Sequence, residues 1–586
     1  MQIKQFAALG VLASFLTACG GDLNISADGV APVGGVVSDP CASFMDDSGI
    51  LQAGTFETGT GNCIYSIDFA SAGNPVTADI TLVDLDEGAH VFFGDLFIGE
   101  DFDTITAANA AGIMEGGDGP TLTLEAGATV AMLEDSDFVA IRRGSQIMAL
   151  GEQDNPITFT SFEDVAGQVG AEEVSTWGGL VIAGFGFLNT CEYLDGFDPA
   201  DPDTLQMAEN SLCSDLLEGT IGQTETHYGG SNADDNSGQM SYVVVKHAGA
   251  QIITGNELNG ITFGAVGSDT VLNNIEVYSN FDDGIEFFGG GADLQFYLAM
   301  YIRDDSIDID QGYYGTIDNA LVIQGGGVGE IFNTGAHCVE SDGSSGANLD
   351  DNFDQGYVSQ ATINNLTCII SAKGPGVAGN GDPGAGINVE ESHLLTLNRS
   401  IVTTAYAVDA TENATAALPP GQLPFTNYCF QLEDPMDLEN AANGLININT
   451  TIFACADISA NDSRTADIVL PMGTEFPGGT TGTEFLMAQD NVVFATADDG
   501  TTPPDSAGGV GEVGLLNSFY SLPLNQMMID GTPVALAFTT QLDPTDFIGA
   551  VTESDDWTQG WTFGLAEDNR AEDLWFELEP VAPPVP

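Results

Sequence analysis

Three short stretches repeat one pattern at nearly constant spacing. Asn259-Gly-Ile-Thr-Phe, Asp283-Gly-Ile-Glu-Phe and Asp305-Ser-Ile-Asp-Ile stand 24 and then 22 residues apart. Between them Asn274-Ile-Glu-Val-Tyr, Ala299-Met-Tyr-Ile and Ala320-Leu-Val-Ile recur at similar offsets. A period of this length, holding two or three short β-prone runs, is one turn of a solenoid whose turns stack about 4.8 Å apart. Propeller blades need periods nearer about 40–50 residues. A hairpin sandwich would show two-residue Asn-Gly connections, which are scarce here. Helical periodicity is nearly absent. The fold class expected is all-β: a right-handed parallel β-helix with an irregular C-terminal capping region.

Composition limits the partners. The 586 residues carry 9 Lys+Arg against 87 Asp+Glu, a formal net charge of −78. Such a chain has no cationic surface with which to displace phosphate counterions, so nucleic acid is excluded as a partner. Docking on anionic lipid through basic patches is excluded for the same reason. The 43% hydrophobic content, with 33 Phe, supplies a large core and argues against disorder. Self-repulsion must then be offset by cations or salt from the medium.

The first residues read as an address. One Lys precedes an apolar run from Phe6 to Leu16, too short to span a bilayer and suited to a secretory signal. Leu16-Thr-Ala-Cys19 resembles the lipobox of bacterial lipoproteins. That resemblance implies cleavage before Cys19, lipidation of its thiol and, with Gly20 next, an outer-membrane anchor facing the cell surface. The organisation expected is a signal peptide over 1–18, a tether and first ordered segment over 19–80, the β-helix over 81–405, and irregular turns with a C-terminal cap over 406–586. With Cys19 lipidated, eight cysteines remain in an oxidising compartment. They fall in neighbouring pairs that bracket turn-rich stretches: Cys41 with Cys63, Cys191 with Cys213, Cys338 with Cys368, Cys429 with Cys455. Sequential disulfides are expected. No Cys-x-x-Cys spacing points to a metal cluster.

A wider resemblance rests on a set of motifs: Trp177-Gly-Gly-Leu-Val-Ile, Asp234-Asp-Asn-Ser-Gly, Ser241-Tyr-Val-Val-Val, Asp282-Asp-Gly-Ile-Glu-Phe-Phe-Gly-Gly and Asp304-Asp-Ser-Ile-Asp. Together they resemble secreted bacterial β-helix proteins, known largely as uncharacterised lipoproteins. Phe547-Ile-Gly-Ala and Trp557-Thr-Gln-Gly-Trp-Thr look like that family's closing motif, expected as apolar cover over the open end. The resemblance implies fold and surface location, and no reaction.

The chemistry concentrates in an acidic ladder. Asp282, Asp283 and Glu286 precede Asp304, Asp305 and Asp308 by 22 residues each. If 22 residues make one turn, like charges sit about 4.8 Å apart and repel by roughly 3 kcal/mol at an effective dielectric near 20. Either a cation lies between them, or one is protonated, or each Asp caps turn backbone in water. Ca²⁺, with its six to eight oxygen ligands, is the cofactor expected. Asp234-Asp235-Asn236, Asp342 and Asp350-Asp351-Asn352 have the composition of Ca²⁺ loops without EF-hand spacing. The five histidines are scattered, and no zinc site is expected from them.

The leading function is a non-enzymatic binding or adhesion module for glycan or an envelope component, with Phe287, Phe288, Tyr313 and Tyr314 as a stacked aromatic face. A polysaccharide-degrading enzyme is the alternative, with Asp283, Asp304 and Asp305 as acid and base. A lyase would draw its base from Arg303, Arg399 or Lys246. A structural partner of an outer-membrane transporter is the other alternative.

Overall fold

The computed structural model describes residues 39–194, 205–207, 213–220, 225–253, 256–325, 335–344, 353, 356–371, 385–405, 428–432, 435–454, 468–469, 485–486, 488–493, 520, 527–529, 532–534 and 547–565. The signal segment, Cys19, Asp350 and Asp351 lie outside them.

The repeat is a stack of coils. Ile261 pairs with Ile285, and Ile285 with Ile307, in parallel register. These belong to a ten-stranded sheet that runs from Leu96–Ile98 through Val139–Ile141, Leu180–Ala183, Ile261–Gly264, Ile285–Phe288, Ile307–Asp310, His337–Ser341, Ala385–Val389 and Tyr428–Leu432 to Ile468–Val469. Every neighbouring pair in it is parallel. Two further faces complete each coil. Long strands Gly238–Lys246, Val271–Tyr278, Leu294–Met300 and Thr316–Ile323 bend at one residue, and their two halves pair on either side of it. The corner residues Tyr242, Asn274, Phe296 and Asn319 have φ of 50°, 50°, 58° and 59°. In later coils Asn365, Arg399 and Thr450 hold the same left-handed corner. The chain is therefore a parallel β-helix. Parallel pairing begins as early as Asn62–Tyr65 against His90–Phe92.

The interior is filled by stacked like residues. Ile261, Ile285 and Ile307 are fully buried. The rings of Phe263 and Phe287 stack at 4.9 Å, and those of Phe287 and Tyr313 at 4.3 Å. Phe287 and Tyr313 thus line the core, while Phe288 lies under a covering layer. The expected aromatic platform for glycan is not formed: Phe287 and Tyr313 turn into the core, and Phe288 and Tyr314 pack in the outer apolar layer. An amide ladder runs along one corner: Asn364 donates to Asp318 at 2.8 Å, Asn398 to Asn364 at 2.9 Å, and Asn449 to Asn398 at 3.1 Å.

The outer face of the ten-stranded sheet carries a second apolar layer. Leu188, Leu217, Tyr228 and Leu258 pack on Ala140, Val181, Ala183 and Phe288. This layer includes the Cys191–Cys213 disulfide. Cys41–Cys63 and Cys338–Cys368 are also joined. Cys429 is disulfide-bonded; its expected partner Cys455 lies outside the described residues.

The Trp557–Trp561 motif lies along the flank of the coils, not over an open end. Gly549 donates to the Arg399 carbonyl at 2.8 Å, and Asn365 donates to the carbonyls of Phe547 and Gly549. Trp557 meets Phe296 at 5.5 Å, and Trp561 meets Tyr242 at 5.6 Å. Phe563 donates its N–H to Glu276 at 2.8 Å. The reason is geometric: left-handed corners push the side chains of Tyr242, Phe296 and Asn365 outward in one row, and the strap seats on that row.

Candidate metal site

The acidic ladder occupies the ten-stranded sheet and the corner that leads into it. Glu286 pairs with Asp308, and Asp308 with Glu340. Thr262 precedes this column. It continues through Asn388, whose amide donates to Glu340 at 3.4 Å, to Gln431. A second column stands at the corner. Asp283 N–H donates to Asn259 Oδ1 at 3.2 Å, Asp305 N–H to Asp283 Oδ1 at 3.0 Å, and His337 N–H to Asp305 Oδ1 at 2.6 Å. Each side-chain oxygen thus caps the next coil, as an Asx turn does locally. The second oxygen of each carboxylate is left for other partners.

The ladder is not solvated. Asp283, Glu286, Asp305 and Asp308 are 8%, 4%, 3% and 8% exposed. Glu218 and Glu257, from the covering segments, add negative charge against Asp282. Burial, then the neighbouring carboxylates, pushes Asp283, Glu286, Asp305 and Asp308 well above the usual range. Asp310 is pushed up to about 7 by burial. Glu340 goes the other way. Burial pushes it up, but the His337 imidazole and hydrogen bonds with Asp305, Glu390 and Asn388 outweigh this and hold it at about 2.

Three groups of ligand atoms converge within 4.8 Å: Asp282, Asp283 and Asp304; Asp283, Glu286 and Asp308; and Asp305, His337 and Glu340. The first two offer only carboxylate oxygen, the donor type of Ca²⁺. Asp308 Oδ1 is buried with no hydrogen-bond partner, which fits an oxygen that awaits an ion. Of the six expected ligands, Asp282, Asp283, Asp304, Glu286 and Asp308 fall in the first two groups, and Asp305 falls in the third. His337 and Glu340 join them unforeseen, because the coil that carries them is longer than 22 residues.

Several other expected residues are tied into the structure. Asp235 is buried, accepting the N–H of Gly116 at 2.8 Å and of Phe185 at 3.0 Å; burial raises it to about 6. It staples three segments together. The proposed lyase bases are all engaged. Lys246 lies 2.8 Å from Asp164 and 4.0 Å over the Phe563 ring. Arg303 donates to the Glu172 carbonyl, and Arg399 to Asn365 Oδ1 at 3.1 Å.

A cleft of about 430 Å³ lies among the early coils, lined by Asp47, Asp79, Glu100, Phe102, Asp118 and Ser145, among others. Ser145 Oγ is buried there without a partner. These residues are far apart in sequence and share no motif. Among the described residues no helix is long and apolar enough to cross a membrane.

Residues 106–468 match the family described as a pectate-lyase-like β-helix domain. No curated protein matches the chain. The crystal structure of the Dettilon tailspike protein is 10% identical, with 73% of this chain and 68% of that chain covered at a TM-score of 0.18, a likeness too slight to carry an argument.

Proposed function

The chain belongs to the pectate-lyase-like β-helix family, and from that premise we propose that it is a non-enzymatic polysaccharide-binding module, stabilised by Ca²⁺ and held at the outer-membrane surface by a lipid on Cys19. One observation carries the reading. One oxygen of Asp283 and one of Asp305 accept a backbone N–H of the next coil, and both residues are buried in the wall. Carboxylates placed this way hold an ion inside the wall and do not reach a polymer. Asp282, Asp283, Asp304, Glu286 and Asp308 supply the Ca²⁺ ligands. The cleft supplies the sugar site: Glu100 and Asp79 accept sugar hydroxyls, Ser145 adds a buried hydroxyl, and Phe102 offers apolar surface. Its size lies within the usual range of ligand pockets. A surface this negative favours a neutral polymer over a uronate.

The test is a polysaccharide-binding screen with and without Ca²⁺, using the wild type and the Glu100→Ala/Ser145→Ala variant. Binding to a neutral polysaccharide that leaves its length unchanged, and that the variant loses, is expected. Release of shortened products would establish the enzyme alternative instead. The anchor is tested separately: Cys19→Ser is expected to move the protein out of the membrane fraction, and unchanged fractionation would refute the lipid.

A further inference from the structure

We propose that Asp305, His337 and Glu340 form a site for a first-row transition ion of the zinc type, separate from the Ca²⁺ positions. The site uses two successive coils. Asp305 stands at one corner, and His337 takes the corresponding corner of the next coil, its N–H bonded to Asp305 Oδ1. Glu340 lies three residues on, in the same strand as His337. His337 Nδ1 is 2.8 Å from Asp305 Oδ1 and 3.5 Å from Glu340 Oε1.

The imidazole is the independent sign. His337 is 3% exposed, and neither ring nitrogen makes a hydrogen bond. Buried polar groups are nearly always hydrogen-bonded; Nδ1 instead faces the two carboxylates, as an ion pair when the ring is protonated and as a fellow ligand when a cation displaces that proton. Nδ1 approaches two carboxylates closely yet lacks hydrogen-bond geometry with either, as ligand atoms do when they face a common centre. The 3.5 Å separation is close to the roughly 3.4 Å that tetrahedral bonds of about 2.1 Å place between ligand atoms, while the 2.8 Å between Nδ1 and Asp305 Oδ1 is shorter, so the Asp305 carboxylate must shift outward to serve as a ligand.

Donor type sets the ion. Ca²⁺ takes oxygen ligands, six to eight of them. One imidazole with two carboxylates suits zinc-like ions, and three protein ligands leave the fourth position open. Asn388 supports the site from the next coil, donating to Glu340 at 3.4 Å and to Glu390 at 3.0 Å. Such outer contacts orient metal ligands. The site takes Asp305, expected from the sequence among the Ca²⁺ ligands, but shares no residue with the two all-carboxylate groups given to Ca²⁺.

The experiment uses Co²⁺ as a visible probe. The full chain is stripped with chelator and titrated with Co²⁺ in a large excess of Ca²⁺. Binding of about one equivalent is expected, with the visible absorption of a four-coordinate nitrogen–oxygen site that Zn²⁺ abolishes. His337→Gln is expected to lose both the band and the equivalent. Asp283→Asn/Asp308→Asn is expected to keep them. Displacement of Co²⁺ by Ca²⁺ would overturn the proposal, as would a band that survives His337→Gln. If His337→Gln does not fold, the Ca²⁺ competition on the wild type decides alone.

Discussion

At the scale of single residues the carboxylates do two things with two oxygens. Asp283 shows the division: one oxygen caps the N–H of Asp305, while the group also faces Glu286 and Asp308. Capping and ion binding, which are rivals on sequence grounds, are therefore compatible in one side chain. The raised carboxyls have a consequence for stability. A carboxyl whose folded value lies above its unfolded value of about 4 favours the fold most when protonated. Its contribution is present below about pH 4 and is lost as pH rises through the folded value. With Asp95 and Asp310 both raised to about 7, the chelated protein is expected to lose stability steadily from about pH 4 to about pH 7. Added Ca²⁺ is expected to remove the part due to Asp283, Glu286 and Asp308, leaving the part due to Asp95 and Asp310. Urea melts at several pH values check this, and stability that rises over the same window in chelator would contradict it. Why these residues are buried was not legible in the sequence. Their cover comes from Leu217, Tyr228 and Leu258, and no local pattern around Asp283 signals that distant layer.

At the scale of elements the coil was legible and the strap was not. The 22-residue spacing from Ile285 to Ile307 is the coil itself, because parallel stacking demands that equivalent residues recur once per turn. Once a coil lengthens, as between Asp308 and Glu340, the spacing no longer announces the partner, and His337 escapes notice. The C-terminal motif fails differently. Its aromatic residues signal apolar burial, but the surface they find is made by left-handed corners, an unfavourable conformation for residues such as Tyr242 and Phe296. The strap repays that cost by packing on their rings. Trp561 is 2% exposed, so Trp561→Ala is expected to destabilise the fold by about 3 kcal/mol or more and to expose residues 547–565 to protease. Denaturant melts and limited proteolysis measure both. An unchanged midpoint with intact protection would mean that the strap merely rests on the coils.

At the scale of the whole molecule the −78 charge sets the problem that the fold must solve. The Cys41–Cys63, Cys191–Cys213 and Cys338–Cys368 disulfides fasten the wall and its covering layer, and the ladder gathers part of the negative charge into the wall, where water cannot screen it. On the proposed reading, bound cations turn that repulsion into cohesion. Binding to the folded state alone adds RT ln(1 + [L]/Kd), about 2.7 kcal/mol at a hundredfold excess. General salt also stabilises so charged a chain by screening, so the decisive measurement compares ions at equal ionic strength. Melting temperatures of the wild type and of Asp283→Asn/Asp308→Asn are recorded in chelator, in NaCl and in CaCl₂. CaCl₂ is expected to raise the wild-type midpoint well above the NaCl value. The variant, freed of like-charge repulsion, is expected to melt higher than the wild type in chelator and to show no added response to Ca²⁺. Equal midpoints for the wild type in NaCl and CaCl₂ would contradict the account and reduce the ladder to a polyelectrolyte.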